Sequence, residues 1–242
     1  MFDTIFLCTA PRSGSTFFIR LLHSADLCTR PQTPFYGQAP EVWAEKYGVS
    51  LSPDWPSRLL EAVAESSYSL TRPRLLRVQV DSLRAFRGVL AGADPSADSA
   101  AAHLQKAFGR CLFLHLERRD LLARAVSLLI AQQSGLWHRY ADGSELERLS
   151  EPAEPVYDAV KITSQINAFR DLDGVWRDWF AENGITPLAF DYDEITADPA
   201  AAVTRVAEAL GQVPGAFDVP TAKLADARNS EWIARYLAEA QA

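Results

Sequence analysis

Three short runs of apolar residues predict strands in the interior of the protein. They cover residues 4–9, 110–116 and 186–192, and none shows the regular polar alternation of a half-solvated strand. Continuous apolar runs of this length are typical of parallel strands that are covered on both faces. A fourth strand is predicted over residues 75–80, where the pattern begins to alternate.

Helices are predicted where apolar residues recur at helical spacing. They cover residues 16–25, 57–67, 103–108, 121–133, 155–180, 198–210 and 231–240. Strands that alternate with helices indicate an α/β fold with a parallel sheet. Four longer segments are predicted to be loops, the third of them mobile: residues 29–56, 91–102, 138–155 and 211–225. Because no linker divides the chain, residues 1–242 are predicted to form a single domain.

Composition and charge exclude several classes of function. Hydrophobic residues make up 48% of the 242 residues, and the net charge of −7 argues against a broad nucleic-acid-binding surface. This net charge is still compatible with a local basic pocket that binds one small polyanion. Cys8, Cys28 and Cys111 show no disulfide or zinc spacing, which predicts buried thiols in a reducing cytoplasm and no metal. No signal peptide and no transmembrane segment are predicted.

The sharpest chemical motif is segment 10–16 (APRSGST), which joins the first strand to the first helix. Ligands of doubly wound sheets bind beyond such strand ends, and free N–H groups at a helix start attract anions. The spacing is not that of the GxxxxGK[ST] nucleotide loop. A Cys-x5-Arg phosphatase loop is excluded, because Gly14 stands six residues after Cys8. The residues predicted to contact an anion are Arg12, Ser13, Gly14, Ser15 and Thr16.

A second motif follows another predicted interior strand. Arg118 and Arg119 stand at the end of that strand, and Ser127 lies about two turns into the next helix. This arrangement predicts a site for a second phosphate. The alternative is that Asp120 caps the helix and both arginines are solvated.

Together the two motifs resemble those of sulfotransferases that use 3'-phosphoadenosine 5'-phosphosulfate (PAPS), and above all the bacterial trehalose sulfotransferase family. The matching stretches keep the same order along the chain: residues 11–16, 118–127, 133–137, 176–182 and 228–232. The resemblance implies a P-loop-like sulfotransferase fold, with a central parallel sheet flanked by helices. It implies an enzyme that transfers a sulfuryl group from PAPS, without a metal, to a hydroxyl of a carbohydrate or glycolipid. It also suggests a homodimer.

The resemblance further implies a role for each basic residue. Arg12 would contact the sulfuryl group, while the amides of residues 13–16 would hold the 5'-phosphate. Arg77 would lie near the transferred group. The other nucleotide contacts would come from Arg118, Arg119, Ser127 and Arg228.

The residue that should deprotonate the acceptor hydroxyl departs from the family pattern. The trehalose enzymes place a glutamate after Pro-Gln, where this chain has Thr33, and a threonine hydroxyl is no base near neutral pH. Glu41 is the nearest replacement in the same loop, and His23, Asp81 and His138 are further candidates. Two alternatives stay open: a degenerate protein that only binds the sulfonucleotide, and a nucleotide-dependent kinase.

Overall fold

The computed structural model describes residues 2–66, 68–96, 99–140, 142–218 and 227–240. In chain order its strands are β1 Thr4–Thr9, β2 Arg74–Gln79, β3 Cys111–Glu117, β4 Leu136–Arg139, β5 Glu145–Arg148 and β6 Leu188–Asp191. Its helices are α1 Ser15–Ser24, α2 Pro40–Lys46, α3 Trp55–Ser66, α4 Val80–Ala93, α5 Ala100–Phe108, α6 Leu121–Ser134, α7 Ala159–Glu182, α8 Tyr192–Ala197, α9 Pro199–Leu210 and α10 Ala227–Glu239.

Four of these strands form one parallel sheet in the order β2-β1-β3-β6. All six residues of β1 are buried, as expected for an interior strand that is covered on both faces. The predicted α/β class, with a central parallel sheet flanked by helices, is therefore confirmed.

The chain leaves neighbouring strands β1 and β3 in opposite directions. From β1 it continues to β2 at one edge, whereas from β3 it reaches β6 at the other. Thr9 pairs with Leu116, so β1 and β3 end side by side. The crevice beyond these two ends is the topological switch point, where open α/β sheets bind ligands. Both motifs singled out in the sequence start there.

Two apolar clusters cover the two faces of the sheet. Phe6 and Cys8 of β1 face a cluster that includes Phe86, Trp176 and Trp179, contributed by α4 and α7. The alternate β1 residues, Ile5 and Leu7, face the other cluster. Helix α1, helix α9 and strand β6 contribute Phe18, Val203 and Phe190 to it, respectively. Because successive strand residues point to opposite faces, the continuous apolar run of β1 serves both clusters.

Residues 138–155, predicted to form a mobile loop, instead contain most of an antiparallel hairpin of β4 and β5. The turn closes through hydrogen bonds from Tyr140 N to Ser144 O (2.9 Å) and from Gly143 N to Tyr140 O (3.0 Å). Gly143 has a φ of +86°, which glycine adopts without strain. The loop prediction was wrong because each strand has only four residues, too few to show a clear pattern, so backbone pairing defines them.

Three helices were not predicted. Helices α2 and α8 have only seven and six residues, too few to show a helical period. Helix α4 extends into the predicted loop 91–102, and its Gly92 lies against Pro56, where a Cβ would be 3.1 Å from the proline Cγ. The predicted loop 211–225 falls partly outside the described residues.

Among the helices that are described, none has the length and apolar character needed to cross a bilayer.

Candidate functional site

The segment between β1 and α1 forms a loop that opens onto the switch point. Gly14 is the N-cap of α1 with a φ of +85°, and no side chain caps the helix there. The first-turn N–H groups of a helix have no partners within the helix, which suits them to an anion. The Ser13 hydroxyl donates to Ala10 O at 2.8 Å. Ser13 therefore uses its hydroxyl to shape the loop.

Tyr192, which the sequence did not single out, lies directly against this loop. A Cβ on Gly14 would overlap the Tyr192 ring. The same ring packs against Arg118, whose Cζ lies 4.5 Å from the ring centroid. Burial raises the pKa of the Tyr192 phenol above its ordinary value. In the sequence, the only feature that could have pointed to Tyr192 as a site residue is its position at the end of β6, on the same edge of the sheet as both motifs.

This contact makes Gly14 sensitive to substitution. We expect Gly14→Ala to lower the free energy of unfolding by about 2–5 kcal/mol, through strain at positive φ and overlap with the Tyr192 ring. In a Tyr192→Ala background, the same substitution should cost only about 1–2 kcal/mol, because only the strain remains. Urea unfolding of the four proteins measures both values. Equal costs in both backgrounds would show that the ring does not restrict residue 14.

Arg12 connects the loop directly to the second motif. Its Nη2 and Nε donate to Ser127 Oγ at 2.9 and 3.2 Å, and Nη1 donates to Trp137 O at 2.8 Å. Desolvation and the nearby Arg118 lower the Arg12 pKa to about 10, so its guanidinium stays charged at neutral pH. The two predicted phosphate sites therefore form one continuous surface.

Arg77 reaches the same loop from β2. Its Nη1 donates to Ser15 Oγ at 3.2 Å and to Thr16 Oγ1 at 3.1 Å. Its Nε donates to Thr33 Oγ1 at 3.1 Å. Thr33, at the position where the trehalose enzymes place a glutamate, thus lies beside the start of α1 and orients Arg77.

Within the described ranges, the arginines of this site form no ion pair with a carboxylate, and Glu147 acts on Arg12 and Arg77 only from a greater distance. In the part of the chain that the structure describes, Arg12, Arg77 and Arg118 have no carboxylate within ion-pair distance. The Arg118 Nε is buried and has no hydrogen-bond partner among those residues. Arginines that face one another without carboxylates are costly to bury unless an anion joins them. The site therefore fits a ligand with several negative charges.

The β4–β5 hairpin adds a histidine to the site. His138 Nε2 lies 3.1 Å from Thr16 Oγ1 and 3.4 Å from Glu147 Oε2. Desolvation and the positive charges of Arg12, Arg77 and Arg20 lower the His138 pKa to about 3. The imidazole is therefore neutral at physiological pH.

Other residues proposed from the sequence lie elsewhere. The Arg119 side chain is 73% exposed and contacts Glu194 at 3.3 Å and Asp191 at 3.7 Å, so it ties β3 to the end of β6. Glu41 is exposed in the first turn of α2, where it lines a surface depression with Glu45 and other residues of that helix and the following loop.

The remaining candidate bases are both exposed. His23 lies at the far end of α1 from the loop, and its Nδ1 is 3.2 Å from Cys28 O. Asp81 lies in the first turn of α4, just beyond the end of β2. Neither shows a hydrogen bond to the loop before α1 within the described ranges.

A cavity of about 170 Å³ extends from Arg12 and Ser127 to the start of α10. Arg228 of α10 lies on its wall and forms an ion pair with Glu154, which lies on the wall as well. The sequence-predicted Arg228 is thus brought to the same cavity as the two motifs.

Arg124, which the sequence analysis did not single out, supports the loop before α1. Its side chain is fully buried, and its Nε donates to Pro11 O at 2.9 Å. Its Nη1 donates to both carboxylate oxygens of Asp173 at 2.9 Å, and its Cζ lies 3.9 Å from the Phe169 ring centroid. Helix α7 thereby anchors the loop before α1 through α6.

Two known proteins are similar to this chain in sequence over almost its whole length. Trehalose 2-sulfotransferase of Mycobacterium tuberculosis (strain ATCC 35801 / TMC 107 / Erdman) is 29% identical over 254 residues, with 95% of this chain and 92% of that protein covered. Its counterpart in Mycolicibacterium smegmatis (strain ATCC 700084 / mc(2)155) is 26% identical, with the same coverage. The sulfotransferase domain of the Synechococcus PCC 7002 olefin synthase is 14% identical, covers 94% of this chain and 79% of its own, and has a TM-score of 0.46.

The match extends from the first strand to the last helix. A family model described as Stf0 sulphotransferase covers residues 4–239. These limits include the loop before α1, the second motif and Arg228. The chain therefore belongs to the Stf0 sulphotransferase family.

Proposed function

We propose that this protein transfers a sulfuryl group from PAPS to a hydroxyl of a carbohydrate or glycolipid. The single observation that supports it most is the cluster of Arg12, Arg77 and Arg118, which has no carboxylate within ion-pair distance in the described part of the chain and surrounds the start of α1. PAPS is a small polyanion with charge at both ends. The family membership and the names of both mycobacterial relatives support sulfuryl transfer to a sugar.

The residues present suit the two ends of such a donor. The N–H groups at the start of α1 would bind the 5'-phosphate, and the buried, unpartnered Nε of Arg118 suits the 3'-phosphate together with Ser127. Arg228 would close the cavity over the nucleotide. Arg119 is left out of this assignment, because its guanidinium already binds two carboxylates.

Arg12 and Arg77 would act on the transferred group itself. In sulfuryl transfer the acceptor oxygen and the leaving oxygen lie in line with sulfur, and negative charge grows on the leaving oxygen, much as in phosphoryl transfer. Positioned donors stabilise that charge, each by about 3 kcal/mol when well placed. Both guanidinium groups are held by hydroxyls of the chain, which orients them before the donor binds.

Several finer expectations stay predictions. The described residues contain no group of three metal-ligating side chains, and transfer without a metal remains to be tested. The single domain, the cytoplasmic location and the homodimer likewise stay predictions.

Nucleotide binding separates the proposal from a kinase. We expect adenosine 3',5'-bisphosphate to raise the melting temperature more than ATP with magnesium does. The opposite order would favour a kinase. Labelled PAPS, offered with trehalose and with glycolipids, then tests for catalysis. A sulfated product supports the enzyme, whereas tight nucleotide binding without any product supports a degenerate binding protein.

Arg118 is the residue whose removal should weaken nucleotide binding most selectively. We expect Arg118→Ala to weaken the binding of adenosine 3',5'-bisphosphate about 10- to 100-fold, since it removes charge-assisted hydrogen bonds. Arg87→Ala is a matched control, because Arg87 is an exposed arginine of α4 that pairs with Glu182. Calorimetry measures both. Unchanged affinity in Arg118→Ala would mean that the 3'-phosphate binds elsewhere.

A further inference from the structure

We propose that His138, assisted by Glu147, takes the proton from the acceptor hydroxyl in this protein. The inference rests on the proposed function and deepens it, since it names the base that Thr33 cannot supply. His138 lies on the β4–β5 hairpin, a part of the chain whose strands the sequence pattern does not reveal.

The first support is the position of the imidazole. Thr16 Oγ1 accepts a hydrogen bond from Arg77 Nη1 at 3.1 Å, and His138 Nε2 lies 3.1 Å from the same oxygen. One hydroxyl at the start of α1 thus links the imidazole to the guanidinium that we assign to the sulfuryl group. An acceptor that attacks this sulfuryl group must approach the same small region.

The second support is the carboxylate beside the ring. His138 and Glu147 are cross-strand partners in the hairpin, so their contact follows from the register of β4 and β5. Glu147 Oε2 lies 3.4 Å from Nε2 and forms an ion pair with the ring once the ring is protonated. A carboxylate that stabilises an imidazolium in this way is a recurrent feature of histidine bases. Glu147 is therefore a positioning and stabilising residue.

The third support is the pattern of hydrogen bonds on the ring. When Nε2–H donates to Thr16, the lone pair of the neutral imidazole resides on Nδ1. In the portion of the chain that is described, the hydrogen bond of the ring is made at Nε2, and none is found at Nδ1. This nitrogen is thus available for a proton from the acceptor.

The charges around His138 make its basicity depend on whether PAPS is bound. Arg12 from the loop, Arg20 from α1 and Arg77 from β2 face the ring, opposed by Glu147 from β5. The phenol of Tyr36 lies near Asp81, Arg77 and Glu147, so Tyr36 and Asp81 are further titratable groups beside this cluster. Burial is the larger cause of the low pKa of His138, and a bound phosphosulfate would offset the second cause, the positive charges of the arginines, so that the pKa would rise from about 3. His138 would then be a stronger base when PAPS is bound than when it is absent.

The proposed step balances without another reactant. The acceptor oxygen forms a bond to sulfur, while the bond from sulfur to the bridging oxygen breaks. The electron pair of the broken bond stays on the 5'-phosphate of the departing nucleotide. The acceptor proton passes to Nδ1 of His138 and is released to solvent after the product leaves.

The first test compares His138→Gln with the whole wild-type protein, using PAPS and trehalose. We expect kcat to fall about 100- to 10,000-fold, as for the loss of a general base. The affinity for adenosine 3',5'-bisphosphate should change by less than about threefold, which is under 1 kcal/mol. Wild-type kcat should rise with pH as His138 is deprotonated, and His138→Gln should lose that rise. His23→Gln, in an exposed histidine at the far end of α1, is the control.

Two further variants complete this test. Glu147→Gln should lower kcat by a smaller factor than His138→Gln and shift the rising limb of the pH profile to lower pH, because the imidazolium loses its carboxylate. Asp81→Asn addresses the other titratable side chain near the end of β2. Loss of turnover in Asp81→Asn, with turnover and pH profile retained in His138→Gln, would overturn the proposal.

The second test does not depend on the acceptor. The chain has four histidines, and the NMR signals of His138 are those lost in His138→Gln. Titration of these signals with pH should show a pKa that rises on saturation with adenosine 3',5'-bisphosphate. A pKa that stays unchanged in the complex contradicts the inference. If calorimetry detects no binding of that nucleotide to the wild type, the proposed function itself fails instead.

Discussion

Replacing Arg12 by alanine lowers the kcat of sulfuryl transfer by about 100- to 1,000-fold, the usual effect of removing one donor from a developing oxyanion. Arg12 is bound to Ser127 and to the carbonyl of Trp137, so its guanidinium is fixed beside the start of α1 before the donor arrives. The variant should fold normally, because desolvation and the nearby Arg118 already disfavour the charge of Arg12. Transfer of label from PAPS to trehalose measures kcat, and thermal unfolding measures stability.

Two comparisons make this expectation specific. Arg12→Lys keeps the charge but loses the fork of donors that reaches Ser127 and Trp137 together, so its kcat should lie between those of Arg12→Ala and the wild type. Arg87→Ala, on the exposed face of α4, should leave kcat unchanged. If Arg12→Ala kept the wild-type turnover, Arg12 would have no part in the reaction, and Arg77 would be the main hydrogen-bond donor to the transferred group.

Replacing Arg124 by methionine lowers the free energy of unfolding by about 3–5 kcal/mol, because it leaves a carboxylate without its partner in a mostly buried position. Both oxygens of Asp173 accept from Arg124 Nη1, and the carbonyl of Pro11 accepts from its Nε. The substitution should also weaken nucleotide binding, since the loop before α1 loses its anchor to α7. Urea unfolding measures the first effect and calorimetry the second.

The matched control is a pair on the surface. Arg177 contacts Glu117 at 3.1 Å, yet its side chain is 61% exposed, so Arg177→Ala should cost less than about 1 kcal/mol. The double variant Arg124→Met with Asp173→Leu should recover much of the lost stability, because it no longer leaves a charge unpaired. A cost below about 1 kcal/mol for Arg124→Met alone would show that the contact contributes little.

Local patterns in the sequence were sufficient for the sheet and for the two motifs. The apolar run of β1 is continuous and that of β3 is interrupted only by His115, and such runs predict buried parallel strands. Once two strands are parallel neighbours, the loops that follow them must meet at one edge of the sheet. The proximity of Arg12 to the second motif follows from this rule, without knowledge of any side-chain contact.

Only the tertiary structure decided which side chains meet inside the site. His138 meets Thr16 because a hairpin of two four-residue strands folds back over the start of α1, and strands this short leave no clear pattern in the sequence. Arg119 is adjacent to Arg118 in the chain, yet it binds the carboxylates of Asp191 and Glu194, which come from the end of β6 and from α8. Such contacts depend on register and on loop paths between residues far apart in the chain, which no local periodicity encodes.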